Sequence, residues 1–132
     1  MTRADGQIAV FDGDYASLAF GCRDRALGRA MVEALLTVIV SKPQVLRDLP
    51  VTLRAAGLRL VTVQAHVYAE IGTGRFFPGM AEAFAPLVVR EKLLEPEQVE
   101  DWLDGLRTAA AEETFFGSCT YYTYILRPTL LG

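Results

Sequence analysis

The fold of this chain turns on the segment Ile8-Ala9-Val10-Phe11-Asp12-Gly13-Asp14-Tyr15, IAVFDGDY. Gln7 to Phe11 is a short apolar run with β-branched and aromatic members, and the turn-forming triplet Asp-Gly-Asp follows it. This pattern predicts a strand of the kind buried inside a sheet, with acidic side chains at its carboxyl end. Such strands normally have neighbours on both sides, yet this one starts within the first ten residues. The rest of the chain has to account for what pairs with it.

A length of 132 residues suits one domain, since domains commonly run to about 100 to 150 residues. The hydrophobic fraction is 52% and the mean hydropathy +0.25, more apolar surface than one small core readily hides, so an oligomer is expected. The net charge is -3 and the 13 Lys and Arg residues form no block, which argues against a nucleic-acid partner. Cys22 and Cys119 fall in no metal-ligand or redox spacing and are expected as free thiols. The opening MTRADGQ is polar and too short for a leader, and the longest apolar stretch, Ala30 to Val40, is broken by Glu33 and Thr37. A cytoplasmic protein with no membrane partner is the expectation.

No repeat or linker divides the chain, so residues 1–132 are taken as one subdomain. From Arg25 to Val40 the pattern is helical, with Arg29, Glu33 and Thr37 as one polar stripe on a cylinder otherwise expected to be buried. A second helical region, SKPQVLRDLPVTLRAAGL, places Leu46, Leu49 and Leu53 on one face and ends at Gly57, while Pro50 should kink it or mark its first turn. LRLVTVQAHVYAEI then alternates as a strand. Val61, Val63, Ala65 and Val67 lie on one face, and Thr62, Gln64, His66 and Tyr68 on the other. GTGRFFPG reads as a loop, and Met80 to Arg90 as a helix weakened by Pro86. A stronger helix starts at Pro96 with the stripe Val99, Trp102, Leu103, Leu106 and Ala110. TFFGSCTYYTYILRP closes the chain as an aromatic, β-branched strand ending at Pro128. The class is α/β, with few strands for so many helices.

Laid out in this order, the chain resembles the carboxyl-terminal half of a class I S-adenosylmethionine-dependent methyltransferase, of the small-molecule group that includes ubiquinone and menaquinone methyltransferases. GQIAVFDGDY resembles that family's fifth strand and the turn after it. LRDLPVTLRAAGLRLVTVQ resembles the helix leading to its sixth strand, and LLEPEQVEDWLDGLRTAAAEETFFGSCTYYTYILRP its last helix and seventh strand. The resemblance implies a truncated Rossmann-like fold: a three-stranded mixed sheet, ordered first-third-second, with about four helices. It also implies that the outer edge of Gln7 to Phe11 is bare and that a partner completes the sheet. A second copy or a complementary methyltransferase subunit would do so, since no Lys or Pro in that stretch blocks pairing.

The glycine-rich turn and acidic residue that hold the cofactor in this family have no counterpart here. Gly72 and Gly74 follow the wrong strand for that turn, so no cofactor residue is carried over. S-adenosylmethionine is expected only if a partner chain supplies the missing half.

Ligands in open α/β sheets bind beyond the carboxyl ends of the strands, which points to Asp12, Asp14 and Tyr15. Asp12 could take a proton, although Asp-Gly-Asp is equally a turn and capping sequence. His66 is the sole histidine and so the natural general base, or else an ordinary polar residue on an edge strand. Arg75, Phe76 and Phe77 could form a lid and Tyr122 and Tyr124 a wall, and all of these aromatics could instead be core or interface. Cys119 reads as a small buried residue.

The expected function is that of a methyltransferase-like protein unable to methylate alone, serving as a substrate-binding or structural subunit. A cofactor-independent enzyme, using His66 or Asp12 for a cyclisation or isomerisation, is the alternative, and an inactive remnant a third. A pocket built from Phe and Tyr would suit a small apolar or aromatic molecule.

Overall fold

The computed structural model describes residues 6–40 and 45–129. Three strands, β1 (Ile8–Phe20), β2 (Leu58–Gly72) and β3 (Phe115–Pro128), alternate with four helices, α1 (Arg25–Ile39), α2 (Val45–Ala55), α3 (Phe76–Arg90) and α4 (Pro96–Ala111). The chain order is β1-α1-α2-β2-α3-α4-β3. The strands form one sheet in the order β1-β3-β2, so the α/β class and the first-third-second order are those expected. β3 runs antiparallel to both neighbours, so β1 and β2 point the same way and both ladders are antiparallel.

Side-chain alternation along β3 divides the core in two. On the first face Phe115 and Cys119 join Leu18, Phe77, Trp102 and the apolar stripes of α1, α3 and α4. On the second face Tyr124 and Leu126 pack with Leu46 and Leu53 of α2, flanked by Ile8, Val10, Leu58 and Tyr122. No helix among the described residues is long and apolar enough to cross a membrane.

The helix ends follow local chemistry. Asp24 caps α1 by accepting from the Leu27 N–H at 3.0 Å, and Gly57 leaves α2 at a φ of +74°. Pro96 opens α4, and the Gln98 side chain accepts from the Glu95 N–H at 3.0 Å. Arg107 of α4 binds Glu82 of α3 through two hydrogen bonds, of 2.7 and 2.9 Å, and also reaches Glu100 and Asp104.

Several boundaries depart from expectation. β1 does not end at Phe11. Asp12, Gly13 and Asp14 stay in the ladder opposite Tyr122, Tyr121 and Thr120, and a bulge between Asp14 and Ala19 precedes the strand's last residues. The supposed loop after Gly74 is helical from Phe76 onward. Pro50 and Pro86 sit inside α2 and α3, both on exposed faces where water can meet the carbonyl that loses its donor. α1 exposes Arg29, Glu33 and Thr37 as expected but fully buries only Met31, Ala34 and Leu35. The opening of the second helical region, Ser41 to Gln44, lies outside the described residues.

Candidate aromatic binding site

On the first face the helices pack over β1 from Tyr15 onward, whereas β2 stays exposed from Arg59 to Ala69. At the lip of that cover lies an open trough of about 430 Å3, lined by Phe11, His66, Val67, Tyr68, Phe76 and Tyr121. This volume falls within the range of about 300 to 1,000 Å3 usual for small-molecule pockets. Its floor is one cross-strand row, in which Gly13 pairs with Tyr121 and Tyr121 with His66.

Gly13 is what lets the floor form, because a Cβ there would lie 2.9 Å from Tyr121 Cε1. The Tyr121 ring stacks on Phe11 at 5.7 Å with 7° between planes, and Tyr15 meets it edge-on at 6.4 Å. The opposite wall is a second aromatic group: Tyr68 and Phe76 cross at 5.8 Å, and Phe77 lies behind both. Phe11 is 67% exposed and Phe76 46%, so apolar ring faces are open to a ligand.

Two polar groups border this apolar surface, the His66 imidazole and the Tyr121 hydroxyl. Burial, with Cys119 and Tyr15 close by, pushes the Tyr121 phenol up to about 12. The Tyr121 hydroxyl is turned to Tyr15, which accepts from it, so the paired phenols present oxygen lone pairs at the edge of the trough. Burial also raises Tyr15, reinforced by the charge on Asp12. The arrangement can hold a flat apolar molecule and orient one hydroxyl or carbonyl of it.

The other sequence candidates are dispersed. Asp12 is exposed in mid-strand on the second face, opposite Tyr122, and its carboxylate accepts from the adjacent Gly13 N–H at 2.8 Å. Asp14 is 4% exposed on that same face, where Arg47 of α2 donates to its Oδ2 through Nε at 3.2 Å and Nη2 at 3.1 Å. Its other oxygen has no partner among the described residues. Asp14 thus fastens α2 through Arg47, and the two carboxylates are not gathered at a strand end.

Tyr122 and Tyr124 stack at 5.9 Å on the second face against α2, so they are not the wall of the trough. Phe77 is fully buried and cannot be a lid, and Arg75 is an exposed residue at the start of α3. Cys119 is buried, its Sγ 3.5 Å from the Asp14 carbonyl oxygen, and burial pushes the thiol up, away from the reactive thiolate. Of the expected residues, His66, Phe76 and, through its contact with Tyr121, Tyr15 come together. Phe11, Tyr68 and Tyr121 were missed, although the alternation of β2 already placed Tyr68 beside His66.

A nucleotide-type cofactor would need the amides at the start of a helix after a glycine turn. Here Gly72 and Gly74 do precede α3, but the Glu70 carboxylate occupies those amides. It accepts from the N–H groups of Arg75 at 2.6 Å, Phe76 at 3.1 Å and Phe77 at 2.7 Å. A Cβ on Gly74 would lie 3.0 Å from Glu70 Oε1, so the turn encloses its own carboxylate tightly. These residues do not fit a cofactor phosphate or carboxylate. Among the described residues, no three His, Cys, Asp or Glu side chains converge as a metal site.

A scan against protein-family models and a search of curated proteins both find no match for this chain.

Proposed function

We propose that this chain is a methyltransferase-like substrate-binding subunit that takes up a small flat apolar or aromatic molecule and does not methylate by itself. The observation that carries this reading is the aromatic trough of Phe11, Tyr68, Phe76 and Tyr121 beside His66, in a sheet whose β1 edge carries no further strand among the described residues. The likeness to methyltransferases rests on the order and character of the sequence elements. A complementary chain or a second copy pairing with Ile8 to Phe11 would complete the sheet. Any S-adenosylmethionine would then be held by the partner.

Fluorescence titration with 1-naphthol tests the binding site. Saturable binding is expected, weakened about 3- to 10-fold by Phe11→Ala, the worth of one aromatic contact. Tyr122→Ala, on the opposite face, should leave affinity unchanged. Binding indifferent to Phe11 would refute the site, and micromolar affinity of the isolated chain for S-adenosylmethionine would refute the subunit reading.

His66 in the trough supports a second reading, acid-base catalysis on the bound molecule without a cofactor. Asp12 cannot assist, since it stands on the other face of the sheet. Turnover abolished by His66→Ala but preserved in Asp12→Asn would favour this enzyme.

A further inference from the structure

β2 is also an edge strand, and it is the more exposed of the two. From Arg59 to Ala69 every residue is open to solvent, including Val63 at 45% and Val67 at 69%. The strand carries no Lys or Pro to discourage pairing, and among the described residues no strand lies beside its outer backbone edge. The geometry points to a second copy of this chain pairing its β2 with this one, antiparallel about a two-fold axis at Ala65. This rests on neither the trough nor the β1 edge.

The charges select the register. Val61 is an extra residue: Leu60 pairs with Leu126 and Thr62 with Ile125. As a result Arg59, Thr62, Gln64, His66, Tyr68 and Glu70 share the first face. Leu60, Val63, Ala65, Val67, Ala69 and Ile71 share the second. A two-fold axis perpendicular to the sheet pairs the strands antiparallel and keeps the faces of the two copies aligned.

With the axis at Ala65, Val63 meets Val67 of the second copy, Gln64 meets its His66, and Thr62 its Tyr68. Once the Val61 bulge is counted, Leu60 meets Ala69 and Arg59 meets Glu70. The strand's lysine-free charge set, Arg59 and Glu70, is therefore paired at both ends of the joint. Moving the axis to His66 sets Arg59 against Gly72, and moving it to Gln64 leaves Glu70 beyond the partner strand.

Arg59 has reason to accept such a partner. Within its own sheet it stands opposite Arg127, a like-charge cross-strand pair, and it has no ion pair among the described residues. Glu70 keeps one of its four lone-pair sites, on Oε1, beyond the three used by the amides of α3. The product is a six-stranded sheet that brings the two troughs to either side of the axis.

Sedimentation of the full chain, combined with disulfide trapping, tests this. A dimer is expected. Ala65→Lys, at an exposed position, should raise its dissociation constant by about tenfold or more through like charges facing at the axis. Arg59→Glu should weaken it less, with the loss diminishing in high salt. Ala65→Cys should oxidise to a covalent dimer while Thr62→Cys does not, with the unmodified chain as the blank for Cys22 and Cys119. A monomer at micromolar concentration, an Ala65→Cys chain that stays uncoupled under oxidant, or a dimer indifferent to Ala65→Lys would each overturn the proposal.

Discussion

At the scale of single residues, Glu70 and the glycines Gly13 and Gly117 show how one side chain, or its absence, sets the site. Burial alone would raise the Glu70 carboxyl, but three backbone N–H donors outweigh it and hold the group below its ordinary value of 4.5. A carboxyl depressed in the folded state adds stability that is complete above the unfolded value and lost as pH falls through the lower folded one. Glu70→Gln should therefore cost about 1 to 2 kcal/mol at neutral pH, in the range of a lost helix cap. The gap between the two proteins in urea unfolding should narrow as the pH drops below 4.5. Gly117 has a different duty, since a Cβ there would lie 2.8 Å from Phe77 Cγ. Gly117→Ala should cost about 1 to 3 kcal/mol by overpacking, with a matching fall in the thermal midpoint.

At the scale of elements, α2 stands alone on the second face of the sheet and is tied to it by Leu46, Leu53 and the Arg47–Asp14 pair. Arg47 is half exposed while Asp14 is buried, so the loss on cutting the tie comes mainly from the carboxylate left behind. Arg47→Met should destabilise by about 1.5 to 3 kcal/mol in denaturant unfolding, the range for hydrogen bonds to a charged group. Asp14→Asn combined with Arg47→Met should recover part of that, because no buried charge then remains.

The same pair shows what the sequence could and could not disclose. The alternation of LRLVTVQAHVYAEI, the Pro96 helix start and the aromatic last strand were legible because period and capping act locally. Asp-Gly-Asp was misread as a turn because its residues serve distant partners: Gly13 yields to the ring of Tyr121, and Asp14 meets Arg47. α3 starts at Phe76 for a similar reason, its cap coming from Glu70 in the strand before it. The tyrosines were misassigned because the adjacent pair Tyr121 and Tyr122 must split between two faces, and only the register says which goes where.

At the scale of the molecule, the described residues form a three-stranded sheet with no further strand on either edge and an apolar second face on β2 that α2 leaves uncovered. Beside its core the chain leaves apolar strand surface open to solvent at Val63, Val67 and Ile71, in keeping with its high mean hydropathy. The trough lies between these edges, so a ligand and a partner would meet the same few rings.

The proposed binding of a flat aromatic molecule on one face of the sheet is open to direct measurement. Aromatic side-chain NMR shifts during addition of 1-naphthol test it most directly. Phe11, His66, Tyr68, Phe76 and Tyr121 are expected to shift together and saturate, with Tyr122 and Tyr124 unmoved. Shifts confined to Tyr122 and Tyr124, or none at all, would contradict it.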